Sequence, residues 1–368
     1  MRRDPLILGA GPAGTAAAIT LARAGHRPVL IERSAGPTDK VCGDFLSIDA
    51  IEWAHSLGVD PAALGGEPIR TVRLTHGGQT AEAALPFPAL GLSRRTLDAA
   101  LLRQAENAGA VVRTGQTVRR LNRDGDRWCV QIDGQAALTA ETVFLATGKH
   151  DPRDLPRPGT RQGAIGMKMY FALAPNAARA LEGATELTLF PGGYAGLQHV
   201  ENGRTVLCIA VRREAFQRYG GGWAGLLGAI GQRSRRFAGT LEGARALLPR
   251  PLAVAGIPYG YLASPDGLFR LGDQAAVIPS LTGDGMAIAL YSGQKAAEAW
   301  LSGIESGGFQ HRLARTLTPQ MRLAGLLHRG GTGGPIQAAA VPIVRLFPGL
   351  LGHAATHTRL RRPARLAS

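Results

Sequence analysis

Apolar positions open the chain as an unbroken run, Leu6-Ile7-Leu8, which reads as a short strand buried on both faces. A glycine-rich turn follows, Gly9-Ala10-Gly11-Pro12-Ala13-Gly14, and then an alanine-rich helical stretch that Ala24-Gly25 stops. A second apolar run, Pro28-Val29-Leu30-Ile31, ends at Glu32. This order predicts a βαβ unit opening at residue 4. From Ile69 to Leu92 the pattern changes to short strands and turns, with Thr71 to Thr75 leading into Gly77-Gly78. Ser93 then caps a helix through Arg94, Leu97, Leu101 and Leu102, with Gly109 as its stop.

Beyond that helix, Val111-Val112, Val118 to Leu121, Trp128 to Ile132 and Ala137-Leu138 alternate around Asp124-Gly125 and Asp133-Gly134, predicting a meander of hairpins. Thr142 to Ala146 reads as another buried strand, ending in Thr147-Gly148. Ala164 to Tyr261 reads as strands with helical stretches near Asn176 to Leu181 and Trp223 to Leu248. Leu268 to Leu271 is one more buried strand, followed by a helix from Gly285 through Trp300 and a helical, glycine-interrupted tail. With no repeat and no low-complexity linker, two interleaved domains are expected.

Composition narrows the function. The 368 residues suffice for about two domains. Forty-two Lys and Arg against 27 acidic residues give +15, which favours an anionic partner. Only Lys40, Lys149, Lys168 and Lys295 are lysines, and the arginines are scattered, slightly denser at Arg359, Arg361, Arg362 and Arg365. That scatter, without an RNP, zinc-finger or homeodomain pattern, argues against nucleic acid as a partner. Cys42, Cys129 and Cys208 are odd in number and form no CxxC pair, so reduced thiols are expected. Met1-Arg2-Arg3 runs straight into the first strand with no room for a signal peptide, and a cytoplasmic location follows as the expectation. Ala338 to Ala355 is apolar but holds Pro342, Arg345 and Pro348, so it is expected at most to lie on a bilayer. His353 and His357 stand four apart without a third ligand, and no metal site is expected.

The glycine turn carries the first chemical signal. Gly9 permits a tight turn, Gly11 lets backbone approach a pyrophosphate, and Gly14 lets helix pack on strand. Pro12 and Ala13 begin the helix, whose N–H groups and dipole suit phosphate, and Glu32 can accept hydrogen bonds from an adenosine ribose. NAD and FAD both remain open at this point. A nicotinamide domain would continue with further βαβ units, whereas here a helix at residue 94, a meander, the strand ending Ala146-Thr147-Gly148 and a distant Gly272-Asp273 follow.

This order resembles the flavoprotein family that contains para-hydroxybenzoate hydroxylase and geranylgeranyl reductase, over about residues 4 to 305. The resemblance implies FAD, with Asp273 accepting a ribityl hydroxyl and Pro279 near the isoalloxazine plane. It also implies that Gly283, Asp284, Gly285 and Met286 open a helix whose N–H groups face the flavin's N1/O2 edge. Further cofactor contacts are implied at Arg33, Val118 and Gly272. Within the family, Lys40-Val41-Cys42-Gly43 is similar to the K-x-C-G segment of the geranylgeranyl reductase branch, and Thr282 to Gly285 to its T-G-E-G. The R-x-x-L-D pattern from Arg94 to Asp98 implies a cofactor contact for Arg94. Cys42 becomes a candidate for the reactive face of the flavin, and Gly193-Tyr194, matching part of the reductases' G-Y-x-W-x-F-P stretch, makes Tyr194 a catalytic candidate.

Two departures shape the reading. Lys149-His150-Asp151 stands where the hydroxylases have A-D-G, and Gly196 stands where the reductases have Trp. The W-x-W-x-I motif of flavin halogenases is absent, which disfavours halogenation. His150 and His199 flank the candidate segments as acid/base groups or as hydrogen-bonded structural residues. The expected fold is α/β: a Rossmann-like FAD-binding domain (1–68, 93–162 and 266–310) interleaved with a β-sheet substrate domain (69–92 and 163–265), and a helical C-terminal region (311–368). The expected activity is that of an FAD-dependent oxidoreductase on an apolar small molecule, by monooxygenation or alkene reduction, with NADH or NADPH as candidate electron donor. The alternative is a flavin-binding protein at a membrane surface without turnover.

Overall fold

The computed structural model describes residues 4–360, so Arg361, Arg362 and Arg365 lie outside the described residues. The chain begins with β1 (Leu6–Leu8), α1 (Pro12–Arg23) and β2 (Val29–Ile31), then β3 (Phe45–Leu46), α2 (Ile48–Ser56), the long hairpin β4 (Glu67–His76) and β5 (Gln79–Gly91), and α3 (Arg94–Asn107). Next come β6 (Val111–Arg113), β7 (Val118–Asp124), β8 (Arg127–Ile132), β9 (Leu138–Ala140) and β10 (Val143–Leu145). The middle holds β11 (Ala164–Ala172), α4 (Pro175–Leu181), β12 (Ala184–Phe190), β13 (Gly193–Val200), β14 (Arg204–Val211), α5 (Arg213–Arg218), α6 (Trp223–Arg233), α7 (Arg235–Leu241), β15 (Arg245–Ala246) and β16 (Leu252–Ile257). It closes with β17 (Phe269–Arg270), α8 (Gly285–Leu301), α9 (Ser306–Thr332), α10 (Gly334–Leu346) and α11 (Gly349–His357).

The apolar, non-alternating runs form a parallel sheet in the order β17-β10-β1-β2-β6. Both faces are covered, as such runs require. Ile7 packs with α1, α3 and α8 in the largest core cluster, whereas Leu6 and Leu8 pack with Trp128, Val130 and Ile132 of the antiparallel sheet β7-β8-β9. The expected meander is thus shorter by one member. Val111 and Val112 pair in parallel with Val29 and Leu30, because an edge of the βαβ sheet was open to them.

A second, nine-stranded sheet runs β15-β11-β14-β13-β12-β4-β5-β3, with β16 on β11. The parallel register of β4 on β12, Thr71 opposite Ala184, brings an early hairpin into the same sheet as the middle of the chain. The helix expected across Trp223 to Leu248 is interrupted. Ser234 adopts extended backbone, its hydroxyl accepts from the Phe237 N–H to cap α7, and the chain leaves the helix at Leu241.

The end of the loop between β2 and β3 is tied to β11 through a buried ion pair. Asp44, in the left-handed region at φ 56°, accepts from Lys168 Nζ and from Tyr170 Oη, each at 2.6 Å, and all three side chains are buried. Lys168 Nζ also reaches the Lys40 carbonyl at 3.1 Å, and the Leu92 N–H donates to the Asp44 carbonyl. A few residues away, Glu201 accepts from the backbone N–H and hydroxyl of Ser93 and from Thr96, anchoring the start of α3 to the β13–β14 turn. Replacing Lys168 with Met should leave the Asp44 carboxylate uncompensated and lower unfolding free energy by about 3–5 kcal/mol. Urea denaturation checks this, and a loss below about 1 kcal/mol would mean the pair does not hold this loop on β11.

Candidate functional site

The carboxyl ends of β1, β2 and β10 converge with the turn after β17, and the glycines there are set by close contact. A Cβ on Gly14 would stand 1.9 Å from the Gly9 carbonyl oxygen, and one on Gly9, at φ 103°, would stand 2.4 Å from the Ala146 carbonyl oxygen. Gly11 differs, since its nearest neighbour would be Arg94 Nη2 at 3.5 Å. The start of α1 at Gly11, Pro12 and Ala13 has no side-chain cap, which leaves its first N–H groups for an anion. Arg94 is held over this turn by a two-point contact with Asp98, at 2.8 and 2.9 Å.

At the end of β2, each Glu32 oxygen accepts one backbone N–H, from Ala10 at 2.9 Å and Ser34 at 3.0 Å, leaving further lone pairs for hydroxyls. Burial opposes ionisation there, but the Ala10 N–H, the Lys40 charge and the Ser34 N–H hold the Glu32 carboxyl below its ordinary range. Arg33 reaches across to His150 Nε2 at 2.7 Å. Burial and the surrounding cations, Arg33 foremost, push His150 down to about 4. Val118 lies at the start of β7, just past Gln116, whose N–H donates to the Glu32 carbonyl.

Gly272 and Asp273 form a single 3-10 turn after β17. Lys149 Nζ donates to Asp273 Oδ2 at 3.0 Å, and Arg157 Nη1 to the Asp273 carbonyl at 2.6 Å. Against the effect of burial, Lys149 holds the Asp273 carboxyl below its usual value. Gln274 Nε2 binds the Gly148 and His150 carbonyls and Asp151, so the segment after β10 is laced to this turn.

The turn from Pro279 to Gly285 leads into α8 without a side-chain cap, and Gly43 and Gly285 each face open space. Gly283, at φ 75°, abuts the Phe45 ring. Met286 is packed into the helix-side core. The Asp284 carboxylate is turned to other partners, Gln320 Nε2 at 3.2 Å and Arg359, whose Nη2 also donates to the Thr282 carbonyl. Burial raises Asp284 to about 7 despite Arg359. Cys42 Sγ accepts the Asp44 N–H at 3.4 Å, which sets the thiol on the loop between Asp44 and Lys40.

Tyr194 lies on β13, beneath Val341 and Val344 of α10. Its hydroxyl is hydrogen-bonded to Ser280 Oγ, and Tyr259 Oη meets the same Ser280 oxygen at 2.5 Å. Burial raises Tyr194 well above 10 and Tyr259 to about 12. Ser280 and Tyr259 were not singled out in the sequence. Their only signal is Ser280's place directly after Pro279. Lys149, Lys168 and Lys40 did carry a signal, since a chain that uses arginine nearly everywhere places three of its four lysines here. His199 has both ring nitrogens in hydrogen bonds, to the Ala178 carbonyl and the Thr205 hydroxyl.

The donor set fits FAD: an uncapped helix start and Arg94 for the pyrophosphate, Glu32 and Asp273 for hydroxyls, and a second uncapped helix start beside two open glycines. Three comparisons agree with it. The family described as pyridine nucleotide-disulphide oxidoreductase matches residues 3–199. Menaquinone reductase of Mycobacterium tuberculosis is 28% identical over 311 residues, 80% of this chain and 76% of its own. Digeranylgeranylglycerophospholipid reductase 2 of Methanopyrus kandleri is 26% identical over 330 residues, 83% and 78%. In fold, a flavin-dependent brominase superposes with a TM-score of 0.79 at 16% identity, covering 97% of this chain and 93% of that one.

Gly11→Val and Asp273→Ala should each purify folded but with little flavin, the first because Cβ space is free for the chain yet lies where a pyrophosphate must approach. Flavin absorbance per protein checks this, and full occupancy in both would remove these residues from the cofactor site. Asp284 gives a pH prediction. Its folded value lies above its unfolded value of 3.8, so its contribution is complete below about pH 4 and is lost as pH rises through about 7. The stability of the wild type relative to Asp284→Asn should therefore decline across that window, as urea midpoints at several pH values would record. A difference that is flat or rising with pH would contradict it.

Proposed function

Since the chain belongs to the pyridine nucleotide-disulphide oxidoreductase family, we propose that it reduces a carbon–carbon double bond in an apolar, lipid-like substrate. It is an FAD-dependent oxidoreductase. The observation that carries the finer reading is the hydroxyl chain Tyr194–Ser280–Tyr259 beside Pro279. Two relatives spanning most of the chain support it, since both are named as reductases and both names specify a lipid-like substrate.

When bound, FAD supplies the two-electron redox chemistry. Ala13 and Gly14 N–H groups and Arg94 would hold its pyrophosphate, Glu32 a ribose, and Asp273, oriented by Lys149, the ribityl chain. Arg33, Val118, Gly272, Pro279 and the backbone of Gly283, Asp284, Gly285 and Met286 would complete the cradle. Reduction adds two electrons and two protons across the double bond, with NADH or NADPH as the proposed source of electrons. Tyr194 would deliver a proton from its Oη. Burial keeps that phenol protonated at every working pH, and Ser280 and Tyr259 would return a proton to it. Cys42 would adjoin the reacting edge of the flavin. The proposed division assigns residues 1–68, 93–162 and 266–310 to FAD, 69–92 and 163–265 to the substrate, and 311–368 to the tail. A cytoplasmic location with peripheral membrane contact suits three free thiols and a lipid-like substrate.

The holoenzyme, reduced without air and mixed with isoprenoid alkenes, should yield a product heavier by one molecule of hydrogen. Tyr194→Phe should slow turnover about a hundredfold, and Cys42→Ala should keep FAD but alter its reduction and reoxidation rates. An oxygenated product formed only in air would replace reduction with monooxygenation. Bound flavin with no turnover of either kind would favour a binding protein.

A further inference from the structure

We propose that the outer face of α10 and α11, with the neighbouring part of α9, docks on an anionic lipid bilayer. Of the seven large apolar side chains exposed among the described residues, six fall between 326 and 350: Leu326 at 59%, Ile336 at 65%, Ile343 at 45%, Leu346 at 75%, Phe347 at 62% and Leu350 at 50%. Their spacing is directional. Ile336 and Ile343 are seven apart on one face of α10, whereas Val341 and Val344 on the opposite face are buried with Tyr194 and Leu281. Gln337 fixes that inner face by donating to the Phe190 and Gly331 carbonyls. Among the described residues, that outer face is left exposed.

The shape suits an interface rather than a span. Among the described residues no single helix is long and apolar enough to cross a membrane, and α10 and α11 meet at 112°. Leu346 and Phe347 stand at that corner, an apolar wedge of the kind that enters a bilayer to about 5–10 Å. Charge selects the partner. From Ser306 to the chain end the sequence holds nine arginines and no aspartate or glutamate, and Arg322, Arg329 and Arg345 are exposed around the apolar residues. An anionic headgroup layer complements this surface. A second copy of the chain would set arginine against arginine.

Docking here has a geometric sequel. One helix separates the lipid-facing residues of α10 from Tyr194, about 10 Å of helix thickness. Arg359 staples the residue just past α11 to the Thr282 carbonyl and Asp284, so the docking face and the proposed flavin-edge turn are joined. The inference deepens the reductase reading by naming where a lipid-like substrate leaves the bilayer, and rests on that reading only for this delivery.

The test uses the FAD-loaded full chain and vesicles of phosphatidylcholine, with or without phosphatidylglycerol. The wild type should sediment with the phosphatidylglycerol vesicles, less so as salt rises. The double variant Leu346→Asp/Phe347→Asp should bind about tenfold more weakly, and Arg345→Glu about fivefold, with flavin content and urea midpoint unchanged. Equal binding by wild type and double variant, equal binding to both vesicle types, or self-association abolished by the same substitutions would each overturn the proposal. A water-soluble short alkene separates the two readings. Vesicle binding without turnover of any alkene would end the reductase reading and leave the docking face standing, and turnover of the soluble alkene without vesicle binding would do the reverse.

Discussion

A carboxylate and an ammonium with no exposure to water must find each other, and most of the architecture follows from the place where Asp44 and Lys168 do so. Asp44 comes from the loop that leaves the parallel sheet, and Lys168 from the middle of β11 in the large sheet. Among the described residues, neither side chain makes a second ion pair. The loop carrying Lys40, Cys42 and Gly43 is therefore pinned against β11, and Asp44 keeps a left-handed backbone because Lys168, Tyr170, Leu92 and Arg94 all hold it there. The start of α3, and with it Arg94 above the glycine turn, is located by the same knot.

What could be read directly from the sequence was whatever is decided over short range. The first βαβ unit, the glycine spacing, the stop at Gly25 and the helix beginning at Gly285 depend on neighbours within a few turns, and they appear at the expected residues. Val111 and Val112 could not be assigned so simply, since an apolar pair suits a hairpin and a parallel edge equally and only the waiting edge of β2 decides. The break at Ser234 falls in Gln232-Arg233-Ser234-Arg235-Arg236, a polar stretch that a helix surface would carry as readily as a turn. At the proposed site, Gly9, Gly11, Gly14 and Glu32 announce themselves through motif spacing, and Asp273 through the family resemblance. Lys168, Tyr170, Ser280 and Tyr259 do not, because their partners lie 21 to 126 residues away in the chain.

The basic charge has two separate uses. Around the proposed cofactor, Lys149 and Lys168 each face one carboxylate at short range, a task suited to a compact ammonium. Arg312, Arg315, Arg322, Arg329 and Arg345 of the tail lie outward, interspersed with apolar side chains and free of acidic neighbours in sequence. Arg359 belongs to both groups, as it sits in the tail yet is held inward by Asp284 and Thr282.

The strand order of the parallel sheet has a consequence for how the protein is made. Its edge strand β17 comes from Phe269–Arg270, while the strand it completes against, β10, ends at Leu145. A ribosome therefore releases the glycine turn, Glu32 and Arg94 long before it releases Asp273. The growing chain spends the synthesis of more than a hundred residues with β10 as an open parallel edge beside Phe144, so the whole cofactor cradle closes only late, after nearly three quarters of the polypeptide has emerged. An apolar strand left unpaired for that interval is an edge open to wrong partners until Phe269 and Arg270 arrive to cover it.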